Sequence, residues 1–318
     1  MSNVLVLGGT GFVGRSVCAR LVARAGAANG RVAVPTRRAG HARPIQLLPT
    51  LEVIQADVHD MAQLCRLVAG RDAVVNLVAV LHGTEAQFQR VHVELPRRLA
   101  QACAESGVRR LVHVSALGVA DAAPSRYLRS KAAGEAVLKA ARLDLTLLRP
   151  SVIFGEDDRF LNLFAALQLV LPVLPLAGAQ ARFQPVWVED VAAAIVKCID
   201  EPRTIGLTLE CTGPSVHTLG ELATMAGRWS GHARRVLAVP PGLARLQALA
   251  MECLPGTPWM SRDNLDSMRI PSVASGQLPG LERLGIRASA LEAIAPLYLG
   301  TAQGVARLNP LRARARRI

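Results

Sequence analysis

Residues 3–14 read Asn-Val-Leu-Val-Leu-Gly-Gly-Thr-Gly-Phe-Val-Gly, an apolar run that breaks into closely spaced glycines and then continues into helix-forming sequence. Val4–Leu7 has no polar face, which is typical of a strand buried on both sides in a parallel sheet. Gly8, Gly11 and Gly14 follow at the spacing of a dinucleotide-binding turn between a strand and a helix. The alternative interpretation is a turn with only a structural role.

Each glycine of this turn has its own expected task. The first lets the chain turn sharply, the second lets a pyrophosphate approach the backbone, and the third lets the next helix pack on the sheet. Between them, Thr10, Phe12 and Val13 are expected to line the site. There the free N–H groups and the positive dipole end of the helix face the phosphates.

The composition indicates a globular chain with excess positive charge. Of 318 residues, 51% are apolar and 19% are charged, enough for a nucleotide-binding lobe and a smaller second one. Lys and Arg number 37 against 24 Asp and Glu, a net charge of +13. That excess suits an anionic cofactor, an acidic lipid surface or an acidic protein partner. Scattered arginines and few aromatic residues argue against nucleic acid.

The cysteines point to a reducing compartment. No CxxC pair and no histidine-rich neighbour accompany them, so we expect reduced thiols, no metal and a cytoplasmic location. They are Cys18, Cys65, Cys103, Cys198, Cys211 and Cys253. The sequence starts directly in the first predicted strand, from which we expect no signal peptide.

The uncharged stretch 160–181 is long enough to suggest a membrane span. However, Asn162, Gln168, Pro172 and Pro175 favour a buried helix followed by a turn. Attachment to a membrane surface remains compatible with this interpretation.

Apolar strands alternate with helical sequence through the first half of the chain. After the first strand they are predicted at 31–36, 51–55, 72–80 and 110–115. This alternation predicts an α/β fold, a Rossmann-type doubly wound parallel sheet with right-handed crossovers. At its carboxyl edge, Asp57 and Val58 are expected beside the adenine, with Leu77 and Ala79 under the cofactor.

The end of the second strand indicates which cofactor is bound. An NAD site usually has an acid here to hold the ribose hydroxyls, whereas this chain has Thr36, Arg37 and Arg38. Positive groups suit a 2′-phosphate, so NADP(H) is favoured over NAD(H). A solvated basic turn is the alternative.

Tyr127 and Lys131 stand four apart in a helical stretch after the fifth strand, and therefore share a face. A nearby ammonium and a nicotinamide ring would lower the pKa of the phenol, so that Tyr127 could exchange a proton with a substrate hydroxyl. Alternatively, Lys131 binds the nicotinamide ribose and Tyr127 closes the pocket without turnover.

Three motifs resemble the extended or atypical short-chain dehydrogenase/reductases: Gly8-x-x-Gly11-x-x-Gly14, Tyr127-x-x-x-Lys131 and Arg149-Pro150-Ser151-x-Ile153-Phe154-Gly155. Further segments resemble, more narrowly, the NADPH-binding accessory subunit of respiratory complex I and its bacterial relatives. They are residues 125–135, 158–162, 184–191, 258–263 and 278–286.

The resemblance implies cofactor contacts at Pro150 and Ile153 and a catalytic Ser or Thr beside Tyr127 and Lys131. The strand reads His113-Val114-Ser115-Ala116, which aligns Ala116 with the catalytic place and puts Ser115 one residue early, on the opposite face. A one-residue change of register would restore Ser115 as the third catalytic residue. Without it, the resemblance implies NADPH bound as a structural element.

The predicted domains are a nucleotide-binding domain at 1–155, to which 184–213 return, and a smaller mixed α/β lobe at 156–183 and 214–318. Residues 307–318 contain five arginines and could bind anionic lipid or an acidic partner. A solvated terminus is the alternative.

Two functions remain open. The first is a structural or assembly factor that holds NADPH and docks on a respiratory complex I-like or quinone-related membrane system, peripheral on its inner face. The second is an active NADP-dependent reductase, dehydrogenase or epimerase on a small apolar substrate, quinone-like or lipid. In that case Tyr127, Lys131 and Ser115 would be the catalytic residues.

Overall fold

In a computed structural model of the protein, the run Val4–Leu7 is a strand with every residue fully buried. The structure describes residues 3–25, 30–253 and 260–300. The basic tail at 307–318, the loop at 26–29 and the motif residues Pro258 and Trp259 lie outside the described residues. The chain divides into two units, here called the nucleotide unit and the second unit.

The strands in chain order are β1 Val4–Leu7, β2 Val32–Thr36, β3 Leu51–Gln55, β4 Ala73–Asn76, β5 Arg110–Val114, β6 Asp144–Pro150, β7 Ile153–Phe154, β8 Val173–Ala177, β9 Arg182–Phe183, β10 Val186–Trp187, β11 Thr208–Cys211, β12 His217–Thr218 and β13 Arg235–Val239. The α-helices are α1 Phe12–Ala25, α2 Met61–Val68, α3 Glu85–Phe88, α4 Leu95–Ser106, α5 Arg126–Ala140, α6 Leu161–Val170, α7 Val188–Asp200, α8 Leu219–Trp229, α9 Pro241–Glu252, α10 Arg262–Ser267 and α11 Leu291–Leu299. A π-helical segment, Gln89–Glu94, joins α3 to α4.

The nucleotide unit is built on a seven-stranded parallel sheet in the order β11-β6-β5-β4-β1-β2-β3. Its β1 lies between β2 and β4, so the strand order reverses there. Ligands of doubly wound sheets bind at the carboxyl ends of the strands beside such a reversal. The Rossmann-type fold predicted from the sequence is confirmed.

Apolar side chains from the sheet and its helices form the core of this unit. Leu5 and Leu111 from the strands pack in one cluster with Leu64 of α2 and Leu99 of α4. All four are fully buried. Because the strands carry apolar residues on both faces, helices cover both sides of the sheet.

The nucleotide unit comprises residues 1–150, 189–211 and 274–287. The observed division differs from the predicted domains in placing 274–287 here. Lys197 Nζ of α7 donates to the Leu284 carbonyl at 2.6 Å, and Glu210 accepts from the Ser275 N–H at 2.7 Å. These contacts join residues far apart in sequence, which periodicity along the chain does not reveal.

The second unit comprises residues 151–188, 212–273 and 288–318. Its core packs Phe154, Leu161, Leu222 and Leu291 together. Two of its short strands have different partners, because β9 pairs with β12 while β10 pairs with β7.

Asp158 holds the second unit together near the start of α6. Its carboxylate accepts from the N–H groups of Phe160, Leu161 and Asn162, and from the Tyr298 hydroxyl at 2.9 Å. The quoted motif at 158–162 therefore begins α6 and ties it to α11.

The uncharged stretch 160–181 forms a helix, α6, as predicted, and then the strand β8, which was not predicted. Across the three described ranges, we find no helix with the length and apolar composition that crossing a membrane requires. All six cysteines are among the described residues, and their thiols are free.

Candidate functional site

The glycine turn after β1 has the geometry of a dinucleotide-binding loop. Gly8 has a φ of +83°, which favours glycine. A Cβ on Gly14 would lie 2.3 Å from the Gly8 carbonyl oxygen, so no side chain fits between turn and helix. Gly11 is exposed, and a Cβ there would meet only that same oxygen, at 3.2 Å. The backbone at Gly11 is thus open to a ligand.

The start of α1 supplies the donors for an anion. Phe12 and Val13 are the first residues of α1, preceded by Thr10 and Gly11, and the first turn contains no acidic side chain. Its N–H groups and dipole favour a phosphate. The turn and helix together fit the pyrophosphate of a nicotinamide dinucleotide.

Gly9 is a further constrained position that the sequence motif does not single out. A Cβ on Gly9 would lie 2.7 Å from Val34 Cγ1 of β2. Gly9 therefore lets the turn pack closely against β2. The doubled glycine, Gly8-Gly9, was the available signal for it.

The end of β2 carries positive charge at the expected adenosine end of the site. Arg37 and Arg38 are both exposed, and the Arg38 N–H donates to the Thr36 hydroxyl. The neighbouring His59 has its pKa lowered by burial and by the positive charges of Arg90, Arg37 and Arg98. Of the two arginines at the end of β2, Arg37 therefore acts on the side chain of His59.

Asp57 follows β3 and organises the turn there. Its carboxylate accepts from the His59 N–H at 3.0 Å, and its own N–H donates to Gln63 of α2 at 3.0 Å. Val58, partly buried, lies between them and packs against the core of the nucleotide unit. Asp57 and Val58 thus lie at the carboxyl end of β3, on the sheet edge where we expect the adenine.

The fourth strand is shorter than predicted and ends at Asn76 rather than Val80. The reason is local: the Asn76 side chain accepts from the Val78 N–H at 3.2 Å and thus replaces a strand partner. Leu77 remains tied to β1 through its N–H to the Leu7 carbonyl. Ala79 is exposed. This segment therefore presents an irregular backbone at the carboxyl edge of the sheet.

Helix α5 positions Tyr127 and Lys131. Ser125 caps the helix by accepting from the Leu128 N–H. Lys131 is 2% exposed, and its Nζ donates to the Val114 carbonyl at the end of β5 at 2.8 Å. Burial lowers the pKa of Lys131 to about 8, against the opposing charge of Glu135. Lys131 thus joins α5 directly to the edge of the sheet.

Tyr127 is packed by rings. Its centroid lies 5.5 Å from that of His92 and 6.2 Å from that of Phe88, both in edge-on geometry. The sequence led us to expect a lowered phenol pKa. The structure gives the opposite direction, because burial raises the pKa of Tyr127 to about 12. The phenol is therefore a proton donor at neutral pH and not a base.

Ser115 lies deep in the unit beside Glu135. Arg149 makes two hydrogen bonds to the Glu135 carboxylate, at 2.9 and 2.6 Å. Although burial favours the neutral acid, these bonds, the nearby Ser115 hydroxyl and the Lys139 charge lower the pKa of Glu135. Among the described residues, the Ser115 oxygen has no partner at hydrogen-bond geometry. Ser115 thus lies beside the carboxylate of Glu135, a residue of α5.

No sequence motif marks His92, but the structure places it beside Tyr127 and Lys131. Its Nε2 accepts from the Val80 N–H at 3.1 Å, and its Nδ1 lies 2.8 Å from the Ser130 hydroxyl. That hydroxyl donates to the Tyr127 carbonyl, so Nδ1 carries the proton. Burial and the charge of Lys131 lower the pKa of His92 to about 3. The neutral imidazole of His92 thus links Val80, in the segment after β4, to Ser130 of α5.

The close approach of α5 to the π-helical segment depends on Gly134. A Cβ at Gly134 would lie 2.0 Å from the His92 carbonyl oxygen. A glycine inside a helix was the available sequence signal for this contact. Single-turn π-helical segments within helices are often found at functional sites.

His113 on β5 is a second buried histidine. The Asn76 amide donates to its Nδ1 at 3.1 Å. Burial and the charge of Lys131 lower the pKa of His113. Both histidines therefore stay neutral around Lys131.

The structure divides the expected site residues between the units. Pro150, buried at the end of β6, accepts from the Leu117 N–H at 3.0 Å and belongs to the nucleotide unit. Ile153 lies in the second unit, where it pairs with Val186 of β10. All the other expected cofactor and catalytic residues lie in the nucleotide unit.

Comparison with known proteins identifies the family of the chain. A family described as NAD(P)H-binding matches residues 8–202. The alpha subcomplex subunit 9 of mitochondrial NADH dehydrogenase [ubiquinone] 1 from Mus musculus is 34% identical over 298 residues, covering 90% of this chain and 77% of the relative. A ceramide reductase from Caulobacter vibrioides is 31% identical over 261 residues, covering 80% of each chain.

A solved structure shows the same fold. The dTDP-glucose 4,6-dehydratase of Streptomyces venezuelae, with NAD bound, superposes with a TM-score of 0.70 and 23% identity over 99% of this chain and 98% of its own. At this identity the likeness shows the fold alone. On the glycine turn and these matches, the protein is a member of the NAD(P)H-binding, atypical short-chain dehydrogenase/reductase family that includes subunit 9 of NADH dehydrogenase.

Proposed function

We propose that this protein holds NADPH as a structural cofactor and attaches to a membrane-bound respiratory complex of the NADH dehydrogenase type. The observation that carries the proposal is the engagement of Lys131 in an internal contact, a 2.8 Å hydrogen bond to the Val114 carbonyl. Ser115 is buried beside Glu135. The glycine turn, in contrast, keeps the geometry that a dinucleotide needs.

Bound NADPH would stabilise the nucleotide unit by mass action, since it binds the folded chain and not the unfolded one. The glycine turn and α1 would hold the pyrophosphate, and Lys131 would hold the nicotinamide ribose. A reduced nicotinamide supplies a hydride when a suitable acceptor reaches it. In this function the chain excludes such acceptors.

The preference for NADPH over NADH rests on Arg37 and Arg38, which are exposed at the end of β2. Exchange of Arg37 for Asp removes a cation that could pair with the 2′-phosphate. We expect the ratio of NADPH to NADH affinity to fall by about 10- to 100-fold, the worth of one charge-assisted hydrogen bond. Titration calorimetry measures both affinities. The matched control is Arg66→Asp on α2, and an unchanged ratio in Arg37→Asp would contradict the preference.

The partner is suggested by the relatives, several of which are named as subunits of NADH dehydrogenase [ubiquinone]. In this function the protein is cytoplasmic and peripheral on the inner face of the membrane. Tagged protein should co-migrate with the host's NADH dehydrogenase when mild-detergent extracts are separated in native gels. Migration apart from that complex, with NADPH retained, would refute the partner and leave the cofactor proposal standing.

A second candidate is an active reductase, dehydrogenase or epimerase on an apolar carbonyl substrate. The identity with a ceramide reductase favours it, as does the retained Tyr127-x-x-x-Lys131 spacing. A protonated Tyr127 would donate its proton to the substrate oxygen during reduction, and Lys131 would hold the ribose. Oxidation of NADPH by a keto lipid or quinone, lost in Tyr127→Phe with NADPH affinity intact, would establish this function.

A further inference from the structure

Helix α9 of the second unit has its large apolar side chains on the outside. Leu243, Leu246 and Leu249 are 60%, 63% and 40% exposed, whereas Ala244 and Ala248 are 4% and 0% exposed. At 100° per residue the three leucines share the side of the helix opposite the two alanines. We call these three residues the leucine face. The buried side of α9 is thus made of small residues, and its outer side of large ones.

An amphipathic surface helix normally has the reverse arrangement, with its leucines toward the core. Single exposed leucines are ordinary, but a group of them marks a surface that another apolar phase covers. At 12 residues, α9 is too short to cross a membrane. Its exposed leucines suit burial at the boundary between lipid headgroups and acyl chains.

Other segments of the second unit also expose apolar side chains. β13, which ends two residues before α9, exposes Leu237 and Arg235, which share a strand face. Arg234 bonds to Gln168 at the end of α6 through both its N–H and its side chain. The exposed Leu169 and Val170 follow directly.

The charge around the leucine face is positive. Residues 228–269 contain six arginines and three carboxylates. Two of the carboxylates are already paired, Glu252 with Arg262 at 3.0 Å and Asp266 with Arg245 at 3.2 Å. The remaining positive charge favours an acidic surface. In a two-fold dimer, the leucine face of one copy would meet the same face of the other. The like positive charges of the two faces would then repel each other.

We infer that the leucine face docks on the interface of a membrane rich in anionic phospholipid, with α9 parallel to its plane. The leucines enter the boundary of the acyl chains, while Arg235 stays at the level of the phosphate groups. This inference rests on the proposed function and deepens it, because it names the surface by which the protein reaches its membrane system.

The test is co-flotation of the full chain, loaded with NADPH, with vesicles of phosphatidylglycerol or of phosphatidylcholine. We expect binding to the anionic vesicles. Leu243→Gln, Leu246→Gln and Leu249→Gln together should weaken it by about a hundredfold, about fivefold for each half-exposed leucine. Arg235→Gln should weaken it by about fivefold, the worth of one arginine near an anionic surface. The matched control, Leu47→Gln, changes a leucine that is 89% exposed in the nucleotide unit and should bind as the parent does.

Three outcomes would overturn the inference. The first is no binding to anionic vesicles, and the second is equal binding by the triple variant. The third is a triple variant that changes only the oligomeric state, which would make the face a contact between copies. NADPH affinity and co-migration with the respiratory complex are measured on the same samples. If both persist without vesicle binding, a protein partner covers the leucine face and the proposed function stands.

Discussion

Exchange of His92 for Gln tests the hydrogen bonds by which His92 joins Val80 to Ser130 of α5, beside the ring of Tyr127. In the folded chain the pKa of His92 is lowered from 6.5 to about 3 by burial and by Lys131. At a pH between about 3 and 6.5, His92 therefore binds a proton in the unfolded chain but not in the folded chain. Stability must fall as the pH drops through this window, by about 1.4 kcal/mol per pH unit.

From pH 7 to pH 5 this histidine alone should cost the parent protein about 2 kcal/mol of unfolding free energy. His92→Gln keeps an acceptor for the Val80 N–H but does not titrate. The variant is expected to be less stable at pH 7, since Gln replaces the packed ring, yet to lose about 2 kcal/mol less than the parent on acidification.

The assay is urea unfolding at both pH values, followed by far-ultraviolet circular dichroism. The described tryptophans, Trp187 and Trp229, lie in the second unit, so their fluorescence would not report on His92. His41→Gln, at an exposed histidine of the same unit, is the control and should keep the parent's pH slope. If His92→Gln loses as much stability as the parent between pH 7 and pH 5, the neutral imidazole contacts are refuted.

Two further substitutions probe one unit each. Gly14→Ala places a Cβ 2.3 Å from a backbone carbonyl oxygen. It should lower the free energy of unfolding by about 3 kcal/mol and abolish NADPH binding in calorimetry. The control is Gly40→Ala, whose Cβ meets nothing within 4 Å. Normal binding by Gly14→Ala would contradict the turn geometry. Tyr298→Phe removes a 2.9 Å hydrogen bond to Asp158 and should cost about 1.5 kcal/mol in urea unfolding followed by tryptophan fluorescence. Tyr127→Phe should leave that transition unchanged, and an equal loss in both variants would rule out a specific tie at Asp158.

Much of the nucleotide unit follows from local sequence. The apolar run at 4–7 predicted β1 to the residue, because a strand buried on both faces tolerates no polar side chain. The clash that a Cβ on Gly14 would make is the physical reason for the third glycine of the motif. Such features are fixed within a few residues of one another, so their pattern predicts them.

Contacts between distant residues could not be predicted in this way. The Asn76 amide on β4 donates to His113 of β5, 37 residues away in the sequence. His92 looked isolated because its partners Val80 and Ser130 lie 12 and 38 residues away. Only the folded chain shows these groupings.

The most direct test of the central claim is to identify the nucleotide that co-purifies with the protein by mass spectrometry. Its absorbance at the reduced-nicotinamide band is then followed while quinones, ketones and keto lipids are added. We expect NADPH that stays bound and reduced with every compound. Oxidation by any of them, lost in Tyr127→Phe, would contradict the structural role and establish a working reductase.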